Sequence, residues 1–183
     1  MRTTITALVI CTGVIFMSSK TFATEQAYPK TAVDKIEIKE LPEARLMVTQ
    51  STGNYFAKDN DMFGRLFRYI SSNQVAMTTP VEAEFQPASM RFYVGADQKD
   101  KELKDHQEVT ILTLPMRHVA AIGGRGAYSK ENITAAQAKL TAWLKEQTDY
   151  VQSGEPYGVF WNSPFVPWFL KRYEVQVAVK LKK

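Results

Sequence analysis

The sequence is poor in the residues that most often do chemistry. It has one cysteine and two histidines in 183 residues. Cys11 lies in the first 23 residues, so the rest of the chain can form neither a disulfide nor a thiolate metal site. Charge of one sign is not in excess. There are 23 basic and 19 acidic side chains, and the segment up to Ala23 carries Arg2 and Lys20 but no acid. Beyond it the net charge is only about +2, which gives no basis for nucleic-acid binding. His-Glu-x-x-His, Gly-x-Ser-x-Gly and a phosphate loop ending in Lys-Ser/Thr are all missing. No apolar run is long enough to span a bilayer. The longest, Ile5–Met17, falls short of the roughly 20 residues a membrane helix needs.

That run follows the basic start Met1-Arg2 and precedes the small-residue end Thr21-Phe22-Ala23. This is the order of a secretory signal, and residues 1–23 are expected to be one, with an uncleaved anchor as the alternative. Cys11 follows the bulky Ile10 and is followed by more apolar sequence, so it does not read as a lipid-attachment site. Residues 24–35 are polar and read as a flexible lead-in, leaving 36–183 as one domain of ordinary size. Hydrophobic residues make up 45% of the chain, enough for a packed core.

The domain reads as a repeat. Ile36–Leu41 alternates apolar and polar, Pro42 interrupts it, and Arg45–Thr49 resumes the extended pattern. Asp59-Asn60-Asp61 supplies cap residues for a helix with Phe63, Leu66, Phe67 and Ile70 on one face. Val75–Phe85 and Met90–Val94 read as two strands, and Gly95–Gln107 as a charged loop. The order then recurs. Val109–Leu114 is followed by Pro115 and by His118–Ile122. Gly123–Gly126 reads as a turn. A second helix, capped at Asn132, carries Ile133, Ala136, Leu140, Trp143 and Leu144 on one face, and strands follow at Gly154–Trp161 and Arg172–Leu181. Leu41-Pro42 and Leu114-Pro115 fall at matching places. Two similar halves closing one antiparallel sheet, with helices outside, account for this pattern.

Few residues stand out chemically. His106 falls in a charged loop and reads as solvated. His118 lies in a strand and is the candidate imidazole ligand. Glu82 and Glu84 share a strand face, where they could act as an acid–base pair or be simply solvated. The first helix carries Phe63 and Phe67, flanked by Arg65 and Arg68. This pairing suits a flat apolar ring with carboxylate arms, and core packing explains the two rings equally well.

Two segments carry a family resemblance. One runs from Arg68-Tyr69-Ile70-Ser71-Ser72-Asn73 through Val75-Ala76-Met77-Thr78-Thr79-Pro80-Val81 to Met90-Arg91-Phe92-Tyr93-Val94. The other joins Trp161-Asn162-Ser163-Pro164-Phe165 to Pro167–Val175. Together they resemble the SOUL heme-binding protein family over about Ile36 to Leu181. Three positions depart from the family pattern: Gln74 stands where a basic residue is usual, Tyr173 replaces an Asn, and Gly95–Lys101 lacks a Pro-Pro run.

The resemblance implies an α+β fold, a twisted eight-stranded antiparallel barrel-like sheet made of two β-α-β-β halves with two packed helices. It implies heme or a related tetrapyrrole as ligand, held along the first helix by Phe63, Phe67 and Arg68 and in the loop before the last strand by Trp161, Phe165 and Val166. It brings no dependable axial histidine. The expectation is an exported, periplasmic or secreted tetrapyrrole carrier or scavenger, not an enzyme, with no membrane span once the signal is removed. The alternative is an effector- or partner-binding module of the gyrase-inhibitory type, in which Glu82 or Glu84 faces a cleft.

Overall fold

A computed structural model of the chain describes residues 24–57 and 60–182. Residues 1–23, the expected signal segment, and Asp59 lie outside the described residues. Eleven strands and two α-helices are described. The first half contains β1 (Glu25–Gln26), β2 (Ile36–Leu41), β3 (Ala44–Ser51), α1 (Met62–Ser72), β4 (Thr78–Thr79), β5 (Val81–Phe85) and β6 (Ala88–Tyr93). The second contains β7 (Val109–Leu114), β8 (Arg117–Arg125), α2 (Lys130–Lys145), β9 (Tyr150–Gln152), β10 (Tyr157–Phe160) and β11 (Arg172–Leu181).

Eight strands form one path in the order β2-β8-β11-β10-β5-β6-β3-β7, with every pairing antiparallel. The short β9 pairs with β11 outside this path. The connections explain the curl. Only Pro42 and Glu43 separate β2 from β3, yet these strands are first and seventh in the path. Only Pro115 and Met116 separate β7 from β8, which are eighth and second. Two residues span about 10 Å, so the ends of the path must meet at these corners and the sheet closes into a half-barrel. The repeated Leu-Pro thus marks the two corners, where a residue without an N–H leaves no ladder bond unmade.

Side chains alternate between two cores. On the helix side, Ala83, Phe92, Ala120 and Val175 meet Leu66 and Ile70 of α1 and Ile133 and Leu140 of α2. On the concave side, Leu41 of β2 and Leu46 of β3 share one cluster with Tyr93, Val119, Tyr157 and Trp161, as the curl requires. Ser129, and not Asn132, caps α2: its side chain accepts from Asn132 N–H. At the end of α1, left-handed Gln74 turns the chain so that Val75 N–H returns to Ile70 C=O.

Two expectations need correction. Gly123 and Gly124 are not a turn but part of β8, and close approach explains them. A Cβ on Gly123 would lie 2.2 Å from Ala32 O, and one on Gly124 would lie 2.3 Å from the Tyr173 ring. Only Gly126 has the positive φ a turn glycine supplies. Residues 24–35 are not a free lead-in. They form an arm docked across the concave side: β1 pairs with β4, Thr31 N–H donates to Glu174, and Val33 bridges Gly123. Tyr28 and Thr31 are buried there.

Candidate functional site

The exposed crest of α1 carries the first candidate. Phe63 and Phe67 stand four residues apart, one turn of helix, and stack with centroids 6.0 Å apart and planes 13° from parallel. Phe63 leans edge-on against core Phe92, so the pair is anchored at its inner end, while Phe67 is 50% exposed. The face that actually packs inward is Met62, Leu66, Tyr69 and Ile70, which turns Phe67 outward. Arg68 pairs with Asp61 at 2.8 Å between two well-exposed side chains. Such pairs are worth about 0–1 kcal/mol, so this guanidinium can exchange Asp61 for a ligand carboxylate at little cost.

A groove of about 780 Å³ runs along the other flank of α1, between Arg65, Arg68 and Tyr69 and the loop holding Lys104 and His106. Arg65 pairs with Glu108 at 2.9 Å, and Tyr69 Oη donates to Lys104 C=O. His106 is therefore the histidine beside α1, a position that its loop setting in the sequence conceals. The ring pair and the Arg68 guanidinium suit a carboxylated macrocycle, while the groove with His106 is lined by neither ring.

The concave interior is the second candidate, and it is filled. Glu82 on β5 is fully buried. Its Oε1 accepts from Arg117 Nη2 at 3.1 Å and from Tyr93 Oη, with Tyr28 Oη at 3.5 Å, and Arg91 approaches Oε2 at 3.7 Å. Glu84 is not Glu82's acid–base partner, because Arg91 and Ser89 hold it. A second buried carboxylate, Glu174, accepts from Thr31 N–H, Trp161 Nε1, Gln176 Nε2 and Lys39 Nζ. Tyr28 of the arm packs edge-on to both Tyr93 and Trp161. Burial first, and Glu82 second, push the Tyr28, Tyr93 and Tyr157 phenols well above their ordinary range. Burial works against the charge of Arg117, yet Glu82, helped by Tyr93 and Tyr157, raises its pKa overall.

The SOUL heme-binding protein family profile matches residues 20–178. The chain belongs to the SOUL family. No curated protein matches it. Among solved structures it is similar to the EcmrR C-terminal domain, with 12% identity, a TM-score of 0.64, and coverage of 80% of this chain and 97% of that one. The EcmrR chain in a complex with DNA gives the same identity and TM-score, and the match spans 57% of that chain's length. A protein described as a hydrolase from Listeria innocua matches at 10% identity and a TM-score of 0.58, over 87% of this chain and 94% of that one. At such identities these likenesses show a shared fold alone.

In this SOUL protein the six residues expected to hold the ligand do not form one pocket. Phe63, Phe67 and Arg68 are neighbours on α1. Trp161 is only 3% exposed, inside the half-barrel and bonded to Glu174. Phe165 and Val166 sit in the loop before β11, whose Trp168 and Phe169 line a pocket against α2. His118 lies opposite Glu40 in the β2–β8 ladder, with Nε2 3.6 Å from its carboxylate and the ring against Tyr150. The shallow groove it lines contains no residue of α1. Sequence reasoning missed the Tyr55–Phe160 stack, which joins the two halves on the helix side, and the Phe56–Phe85 stack within the first half. It also missed Tyr128, against Phe160, whose phenol burial pushes up to about 12.

Two outcomes follow from the interior. Glu82→Ala leaves Arg91 and Arg117 buried beside no carboxylate at that position and is expected to cost about 3–5 kcal/mol in urea unfolding, whereas Glu84→Ala costs about 1 kcal/mol or less. The raised phenol pKa values mean that the folded state resists ionisation while the unfolded chain ionises near pH 10, so this stability is intact below pH ~10 and declines as pH rises above it. Phenolate absorbance from Tyr28, Tyr93 and Tyr157 is expected only together with loss of ellipticity, above the ordinary phenol range. A single phase near pH 10 in a folded protein contradicts the buried assignment.

Proposed function

We propose that the chain is an exported tetrapyrrole-binding protein that carries or scavenges its ligand and catalyses no reaction on it. The exposed Phe63–Phe67 stack beside Arg68 carries this reading. The macrocycle lies against the outer ring face and a propionate replaces Asp61 at Arg68. His106 lies in the groove on the other flank of the same helix, which neither ring lines. Family membership supports heme as the ligand class. Burying about 300 Å² of ring at ~25 cal/mol per Å² supplies about 7 kcal/mol before ordering costs, an affinity in the micromolar range. Export rests on the order of residues in the first 23 positions.

A second reading, an effector-binding module, has Glu82 in its favour, a buried carboxylate among tyrosines. Against it, that carboxylate is already met by two arginines, and Tyr28 occupies the space between the rings.

Titration with hemin is expected to give saturable one-to-one binding that weakens about tenfold in Phe67→Ala and severalfold in Arg68→Ala. Uptake that never saturates and is equal in both variants would overturn the assignment. For export, the chain recovered from a periplasmic or culture fraction is expected to have the mass of residues 24–183, and a full-length chain held in the membrane fraction would contradict it.

A further inference from the structure

The loop between β10 and β11 exposes more apolar surface than any packing role explains. Phe165 is 95% exposed, Trp168 65%, Phe169 54% and Leu170 50%. These rings are not loose. Val166 N–H donates to Ser163 C=O, Leu170 N–H to Pro167 C=O, and Lys171 N–H to Trp168 C=O, while Pro164 and Pro167 stiffen the turn. At its base Arg172 N–H donates to Asn162 Oδ1 and Asn162 N–H to Tyr128 Oη. Trp168 and Phe169 hold each other edge-to-face at 5.8 Å. The loop is thus a braced projection with a phenylalanine at its tip.

Its surroundings are basic. Arg125 and Lys139 line the same pocket as Trp168 and Phe169, and Lys171 lies over the Tyr128 ring. No ion pair of these three is found among the described residues. Asp34 is the carboxylate in that pocket.

We infer that this loop is a membrane-surface anchor, with Phe165, Trp168, Phe169 and Leu170 entering the interfacial region of an anionic phospholipid bilayer and Arg125, Lys139 and Lys171 meeting the headgroups. Arg125 and Lys139 against Asp34 in the pocket, with Lys171 on the loop itself, give the charge complementarity. Trp and Phe favour the bilayer interface, and a few apolar side chains plus basic charge give reversible surface binding. The exposed tip at Phe165 separates a bilayer from a protein partner: a stable protein interface needs an extended face of roughly 800 Å² on each side, whereas a projecting tip can enter a fluid. A flat macrocycle needs a wall on which to stack, and Phe165 stands almost free of contact. The inference is independent of the tetrapyrrole reading, which concerns α1.

The test is co-sedimentation of the chain beginning at Thr24, which retains every described strand and helix, with vesicles of phosphatidylcholine alone or mixed with phosphatidylglycerol. Binding is expected to the mixed vesicles and to fall about tenfold in Phe165→Ser, whose near-complete exposure leaves folding intact by circular dichroism. Lys139→Gln with Lys171→Gln is expected to abolish most of the preference for phosphatidylglycerol. Brominated lipid is expected to quench fluorescence in the parent and much less in Trp168→Ser. Equal vesicle binding by parent and Phe165→Ser, or no binding by either, would overturn the inference. So would self-association of the parent that Phe165→Ser removes, since the loop would then contact a second copy.

Discussion

The structure depends on one buried carboxylate. Glu82 sits at the centre of a sheet that curls on itself, and the groups that hold it come from β6, the start of β8 and the N-terminal arm. A buried ion pair gives little net stability over an apolar substitute, because desolvation cancels most of the attraction. What it gives here is selectivity among arrangements. A one-residue slip of β5 would carry Glu82 to the helix side, among Phe92 and Val175, where no cation is placed to receive it. The same carboxylate holds Arg117 from the second half and Arg91 from the first, so it fixes how the repeats close.

That closure decides where function can reside. A curled sheet of this size could enclose a ligand on its concave side. In this chain Tyr28, Tyr93, Tyr157 and Trp161 fill the space, and the arm from Glu25 to Asp34 covers it. The interior is thus closed, and on the outer surface the two halves differ. The first presents its helix, with a stacked ring pair and a loosely held arginine. The second keeps its helix face plain and presents the loop before β11. The two similar halves thus expose rings in different places.

Much of the scaffold was legible because strand alternation and helix spacing are local. Val109–Leu114 and Arg172–Leu181 stand in the structure with the limits their patterns suggest. The buried face of α2 has the expected Ile133, Ala136, Leu140 and Leu144. The face of α1 was read less well, because Phe63 and Phe67 share the spacing of core residues while the sheet actually receives Met62 and Tyr69. Spacing does not tell which side of an aromatic stripe finds a partner. The glycines of β8 misled for a similar reason. Gly123 and Gly124 look like a turn, but what they accommodate is Ala32 and Tyr173, distant in sequence. The arm is polar and contains a proline, so nothing local reveals that Thr31 and Tyr28 meet Glu174 and Glu82. Trp161 is a ligand contact by what the family resemblance implies, and in the structure it is an interior hydrogen-bond donor.

The central claim is that ligand recognition lies on the outer face of α1 while the half-barrel interior stays closed. It is tested most directly by mapping backbone amide shifts of the isotope-labelled chain during titration with metal-free protoporphyrin. The account predicts perturbations concentrated at Phe63 to Tyr69 and in the His106 loop, with Tyr28, Glu82 and Tyr157 unmoved. Perturbations centred on Glu82, Tyr93 and Tyr157, with release of the arm around Tyr28, would contradict it.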